Sequence, residues 1–242
     1  MTGDRHREQP VDERYYEVIK PAGLTEKLMI RARRRMYQDL VDRVRPTSTT
    51  RILDIGVSDV LGEGANFLEQ TYPHRSQITA AGIGAAPEFQ QEFPDIAYHQ
   101  IVPNEPMPFS DRQFDVAVSN AVLEHVGSPA NQQAFVAEAL RVADIVFFTV
   151  PHRFFPVEHH TKIPFAHWSD STFRVACRAL GKQSWTDPSE LILMSERRLH
   201  RAVPPAASDA QVGRTGLKLG WFSSNLFLYI DNRSQSTGGT AA

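Results

Sequence analysis

The sequence predicts an α/β protein built on a doubly wound, mainly parallel sheet, and three observations carry that expectation. Short β-branched runs recur along the chain with helical segments between them. The first run, Arg51-Ile-Leu-Asp-Ile-Gly56, ends in an acid and a glycine and meets a loop with two more glycines, Gly62 and Gly64. The fifth, Ile145-Val-Phe-Phe-Thr-Val150, is almost wholly apolar, as a strand covered on both faces must be. Strands that alternate with helices pair in parallel through right-handed crossovers.

In chain order, residues 1–45 read as an N-terminal tail and a leading helix. Met1 to Arg14 is polar and loose. From Thr25 onward, Leu28, Met29, Met36, Tyr37, Leu40, Val41 and Val44 share one helical stripe until Pro46 ends it. The other side carries Arg31, Arg33, Arg34 and Arg35 with Glu26, Asp39 and Asp42 interleaved. It reads as a solvated face ahead of a phosphate-binding patch. Such a leading helix either covers the sheet or closes over a ligand, and the spacing leaves both open.

The main domain is expected over residues 46–230. Ala65 to Tyr72 follows the glycine loop as a helix, and Ile78 to Ile83 is a second strand. Gly84 then falls about one βαβ unit, roughly 30 residues, after Gly56. Ile96 to Val102 alternates as a third strand. Phe114 to Ser119 is the fourth, and it opens straight into Asn120-Ala-Val-Leu-Glu-His-Val126. Ser128-Pro129 supplies an N-cap with proline at the first helical position, and Phe135, Val136, Ala139, Leu140 and Val142 give that helix a buried stripe. Pro151 to Trp168 is dense in proline, aromatic residues and histidine, with no period, and reads as a long ordered loop. A helix over 169–182 follows, then a closing pair of strands at Gly216 to Gly220 and Asn225 to Ile230. Residues 231–242 are small and polar and are expected to be a disordered tail.

Composition narrows the function class. The 242 residues hold 41% hydrophobic and 22% charged side chains, the balance of a soluble globular protein. The formal net charge of -2 offers no basic field, so no nucleic-acid partner is expected. Cys177 is the one cysteine, which excludes an internal disulfide and suits a reducing compartment. The first ten residues lack the apolar core of a signal peptide, and no apolar run approaches the ~20 residues of a membrane span. A cytoplasmic protein with no membrane span is the expectation.

Arg51-Ile-Leu-Asp-Ile-Gly56, Pro108-Phe109 and Phe114-Asp-Val-Ala-Val-Ser-Asn-Ala-Val-Leu-Glu-His125 together resemble the class I S-adenosylmethionine (SAM)-dependent methyltransferases, small bacterial ones above all. The segment Pro151-His-Arg-Phe-Phe-Pro-Val-Glu-His-His-Thr161 and Ser224-Asn-Leu226 extend the likeness over roughly residues 50 to 230. The resemblance implies a Rossmann-like sheet of seven strands, mostly parallel with the last antiparallel and helices on both faces. It also implies SAM as cofactor across the carboxyl ends of the first, second and fourth strands. Asp54 and Gly56, with Ser58 in the same loop, would meet the methionine part. Ile83 and Gly84 would sit by the ribose, Val102 beside the adenine, and Asn120 where the methyl is presented. The chain departs from the family at three places: Ser58 and Val60 replace loop glycines, Gly84 replaces the ribose-binding acid, and Val102-Pro103-Asn104 lacks the acid after the third strand.

Methyl transfer is a displacement, helped by a general base when the acceptor is a hydroxyl or an amine. His125, His152, His159, His160 and His167 cluster where the family's acceptor side would be, and histidine titrates near neutrality. His125, His160 and Glu158 are the expected catalytic residues, with Arg153 and His167 toward the substrate. The competing role for Arg153, Glu158 and His160 is to pin the loop through buried hydrogen bonds, and for His125 to hold the strand-to-helix turn. Phe154, Phe155, Phe165 and Trp168 would wall an acceptor pocket or pack under the sheet edge. Glu158, His160 and His167 match no usual zinc spacing, so no metal is expected. The expected acceptor is a small molecule, a glycan or a lipid-linked precursor. The alternative is a methyltransferase-like domain that has lost catalysis and serves binding or scaffolding. A nicotinamide-dependent oxidoreductase is disfavoured because the first loop lacks the G-x-G-x-x-G spacing.

Overall fold

A computed structural model of the chain describes residues 24–62, 64–158, 160–207 and 209–233. The seven runs pair into one sheet: β1 (Ile52–Ile55), β2 (Ile78–Gly82), β3 (Ala97–Gln100), β4 (Phe114–Asn120), β5 (Ala143–Pro151), β6 (Ala210–Leu219) and β7 (Phe222–Asp231). Their order is β3-β2-β1-β4-β5-β7-β6. The first five pair in parallel, and β7 enters antiparallel between β5 and β6, with Phe147 opposite Tyr229. This is the doubly wound sheet with a reversed last strand that the sequence predicts.

Period two along each strand sends alternate residues to two cores. Leu53, Ile55, Ala117, Val146, Phe148, Leu226 and Leu228 face α4 (Pro129–Val142) and α6 (Glu196–Arg201), burying Val136, Ala139, Val142 and Leu199. Ile52, Ile78, Val116, Ile145, Phe147, Phe227 and Tyr229 face α1 (Leu24–Val44) and α3 (Pro87–Glu92) through Leu40, Val44 and Phe89. On α1 the residues buried at a spacing of four are Ala32, Met36, Leu40 and Val44, whereas Leu28 is exposed. The Ser128 hydroxyl accepts from the Asn131 amide at 3.1 Å, which caps α4 as expected.

A smaller cluster lies beyond the carboxyl rim. Ile163, Phe173, Cys177, Leu191 and Leu193 pack together, fastening the loop after β5 to α5 (Asp170–Ala179). The closing strands are longer than the sequence suggested, since turn residues inside β6 mask its period. β3 is shorter than the run 96–102, because an edge strand loses its partner once the chain leaves the rim. β7 runs through Asp231, which ion-pairs Arg233 at 2.5 Å. The loose segment expected over 1–14 and the tail from 234 lie outside the described residues. No helix among the described residues is long and apolar enough to cross a membrane.

The two sides of the closing hairpin should respond differently to truncation. Leu228 is fully buried and Trp221 is 91% exposed. Leu228→Ala is expected to cost about 2–5 kcal/mol in urea unfolding, and Trp221→Ala under about 0.5 kcal/mol.

Candidate active site

β1 and β4 lie side by side and parallel, so their carboxyl ends open onto one rim. Gly56 turns the chain there with φ +96°, and a Cβ on it would stand 2.2 Å from a Val122 methyl carbon just beyond β4. Only glycine tolerates both conditions. The amides of Gly56 and Val57 both donate to the Ala81 carbonyl, at 2.7 and 3.2 Å, tying the turn to β2 as well.

Asp54 is half-buried at this rim, and Glu69 of α2 (Phe67–Thr71) is fully buried behind it. Neither Glu69 oxygen has a hydrogen-bond partner among the described residues. Burial, then the Glu69 charge, pushes the Asp54 carboxyl well above its ordinary value; burial raises Glu69 too. Arg33 of α1 opposes this by favouring the Asp54 anion, while burial lowers the Arg33 guanidinium itself. Thus Arg31, Arg34 and Arg35 are exposed as expected, but Arg33 turns toward the site. A Cβ on Gly64 would stand 2.0 Å from the Met29 methyl carbon, so α1 lies over the glycine loop.

Side chains, rather than further glycines, shape that loop. Asn66 accepts from the Ser58 amide at 3.0 Å and donates to the Ser58 carbonyl at 2.7 Å. Asp59 accepts from the Phe89 amide at 2.9 Å in the first turn of α3. At the end of β2 the Tyr98 hydroxyl donates to the Gly84 carbonyl, and the Gln100 side chain donates to Ile83 at 3.2 Å. Val102 is 57% exposed on the lip beyond β3. Asn120 is half-buried, its Oδ1 accepting from the Thr149 hydroxyl at 2.7 Å.

Five residues beyond Asn120, the loop after β5 meets the exit of β4. His125 Nε2 and His160 Nε2 stand 3.1 Å apart, with the rings edge-to-face. His125 Nδ1 lies 2.6 Å from the Glu190 carbonyl, and His160 Nδ1 lies 2.9 Å from Glu158 Oε1. The Thr161 amide donates to the other Glu158 oxygen. Glu124 is 1% exposed, its Oε1 4.0 Å from His125 Nε2, and neither oxygen has a hydrogen-bond partner among the described residues. Burial pushes Glu124 up to about 7 and His125 down to about 4. Burial also raises Glu158, but the hydrogen bond and charge of His160 outweigh it and hold that carboxyl well below the usual range.

Of the expected site residues, the structure brings His125, His160 and Glu158 together. It sets Arg153 and His167 elsewhere in the loop. Arg153 is buried and donates to the His167 carbonyl at 3.0 Å and to Asp170 at 2.8 Å. His167 Nε2 lies 2.8 Å from the Phe155 carbonyl. Those bonds pin the loop. Phe154, Phe165 and Trp168 are exposed, with Trp168 resting on Phe222. His159 lies outside the described residues. Glu69, Glu124 and Trp185 went unread in the sequence. A lone acid on a short helix or turn has the signature of a solvated surface, and Trp185 joins the cluster only through a contact distant in sequence.

The fold has counterparts among known proteins. A family model described as a methyltransferase domain matches residues 62–144. No curated protein matches the chain by sequence. A Thermotoga maritima structure described as a SAM-dependent methyltransferase, possible histamine N-methyltransferase, is 14% identical with a TM-score of 0.54, covering 86% of this chain and 95% of that one. The N-methyltransferase NodS from Bradyrhizobium japonicum, in complex with S-adenosylhomocysteine, is 13% identical with a TM-score of 0.50, covering 82% and 85%. A CurJ carbon methyltransferase structure is 13% identical with a TM-score of 0.52; it covers 81% of this chain, which spans only 52% of it. At such identities the likeness speaks for the fold. The sheet order is that of the Rossmann-like methyltransferase fold, and the family match covers 83 of the 242 residues.

The carboxyl pair behind the Gly56 turn makes a signed prediction. Because both acids are raised, the folded chain keeps a proton that the unfolded chain has lost above their ordinary values of 3.8 and 4.5. Stability therefore falls as pH rises from that range toward the raised values. In Glu69→Gln, where only burial is left to raise Asp54, that loss shrinks. Its melting temperature relative to the parent chain should climb between pH 5 and pH 8, measured by thermal unfolding across pH.

Proposed function

We propose that this chain moves the sulfonium methyl of SAM to a nucleophilic oxygen or nitrogen of a small-molecule, glycan or lipid-linked acceptor. One observation carries the reading. The exit of β4 runs in six residues, Asn120 to His125, from the rim beside Asp54 and Gly56 to the row of His125, His160 and Glu158. Donor and acceptor sides thus share one short piece of backbone.

The residues present suit the methionine end of SAM. Half-buried Asp54 and buried Glu69 form a carboxyl pair whose countercharge among the described residues is Arg33, and a cationic amino group would relieve it. Gly56 exposes backbone for close approach. At the ribose end the chain offers the Ile83–Gly84 backbone and the Tyr98 hydroxyl in place of a carboxylate, with Val102 as an apolar lip for the adenine. Asn120, whose oxygen is held by Thr149, keeps its amide N–H groups for the ligand. When bound, SAM supplies an electrophilic methyl, so the protein has to align an acceptor and exclude water. An acceptor hydroxyl or ammonium must also shed a proton, and the His125–His160–Glu158 row marks that side of the site.

A second reading, a binding or scaffold domain without catalysis, draws on Gly84 in place of the ribose acid and on a loop braced by Asn66 and Asp59. Titration calorimetry separates the two. SAM and S-adenosylhomocysteine are both expected to bind, with Asp54→Asn weakening them about ten- to a hundredfold, the worth of one charged hydrogen bond. No heat from either ligand, at protein concentrations able to detect ~100 μM affinity, leaves the scaffold reading in place.

A further inference from the structure

We propose that Glu124, His125 and His160 form a site for a divalent transition-metal ion of the zinc type, where the exit of β4 meets the loop after β5. His125 Nδ1 lies 2.6 Å from the Glu190 carbonyl oxygen, which can only accept, so that nitrogen carries the proton. His160 Nδ1 lies 2.9 Å from Glu158, whose second oxygen already accepts from the Thr161 amide. A carboxylate so placed makes His160 Nδ1 a donor as well. A neutral imidazole has one N–H. Both Nε2 atoms therefore present lone pairs, and they face each other across 3.1 Å.

Two lone pairs facing each other at that distance repel, and positive charge between them removes the repulsion. A shared proton would satisfy the rings, but it would leave Glu124 unanswered. That carboxylate is 1% exposed, has no hydrogen-bond partner among the described residues, and reaches within 4.0 Å of His125 Nε2. A cation satisfies all three groups. One ligand atom from each residue lies within 4.8 Å of the others, and nitrogens ~2.0–2.1 Å from a tetrahedral zinc ion stand about 3.3 Å apart. The Glu190 carbonyl and the Glu158 carboxylate are the outer partners that metal-bound histidines use to fix their tautomer.

Two imidazoles and one carboxylate suit zinc chemically and leave one tetrahedral position for water or an acceptor atom. The His125 and His160 side chains keep 17% and 13% of their surface, which gives solvent a way in, and Trp185 packs against both rings. In the sequence only Glu158, His160 and His167 were considered as ligands, and their spacing spoke against a metal. In the structure Glu158 orients a ligand and His167 is bound to the Phe155 carbonyl.

The test uses the full chain, stripped with a chelator and freed of any tag, titrated with Zn²⁺ by calorimetry and with Co²⁺ by visible absorption. One equivalent per chain is expected, with the ligand-field bands of a four-coordinate cobalt ion. His160→Ala and Glu124→Gln should abolish those bands while circular dichroism stays as in the parent chain. Glu158→Gln, which keeps all three ligands, should weaken binding about 10–100-fold and guards against a fold-damaging ligand variant. No zinc bound at 100 μM, or unchanged stoichiometry in His160→Ala and Glu124→Gln, overturns the site. SAM titration of the same metal-free and loaded samples keeps the two proposals separate: zinc without SAM binding sinks the methyltransferase reading alone, and SAM binding without zinc sinks this one alone.

Discussion

The constraint on which the rest depends is the close approach of two backbones at the sheet's carboxyl rim. β1 and β4 pair in parallel with Leu53 beside Ala117, so the turn after Asp54 must pass against the exit of β4. Gly56 permits it, since any side chain there would collide with Val122. From that contact one short segment serves both sides of the site. Asn120 closes β4 two residues beyond Val118, the partner of Asp54, and His125, five residues on, receives the loop after β5.

Two groups of buried acids give the rim its electrostatic character. Asp54 and Glu69 sit behind the Gly56 turn, and Glu124 and Glu158 behind the histidine pair. Among the described residues the countercharges are Arg33 near the first group and histidines near the second. Burying a charge without a partner is costly, so each group either holds protons or awaits a cation. A cationic methyl donor suits the first and a metal ion suits the second. Much of the polarity in the loop from Pro151 to Trp168 does different work. Arg153, His167 and Asp170 bind one another's neighbourhood and, with the cluster around Phe173 and Cys177, keep the loop in place so that His160 reaches His125.

The sheet was legible because its strands advertise themselves locally. β4 and β5 are near-continuous apolar runs, and the acid and glycine closing β1 mark a strand-to-loop turn. Legibility faded where partners lie far apart in sequence. Arg33 has the spacing of a solvated arginine, and its approach to Asp54 follows from how α1 lies over the loop. Glu69 and Glu124 resemble surface acids until the fold buries them. His125 and His160 were each singled out, but no spacing rule joins residues 35 positions apart on two loops. The edges of β3 and β6 were misjudged because pairing partners, not side-chain period, set where an edge strand ends.

The central claim is that ligand binds where the Gly56 turn meets the exit of β4. Hydrogen–deuterium exchange with and without S-adenosylhomocysteine tests it at the level of backbone amides. The account predicts slower exchange in peptides covering residues 54–58, 83–84 and 119–123, with the strands at 210–231 unchanged. Protection confined to the hollow lined by Asp209, Gln211, Tyr229, Asp231 and Arg233, or no protection at the rim under saturating ligand, contradicts it.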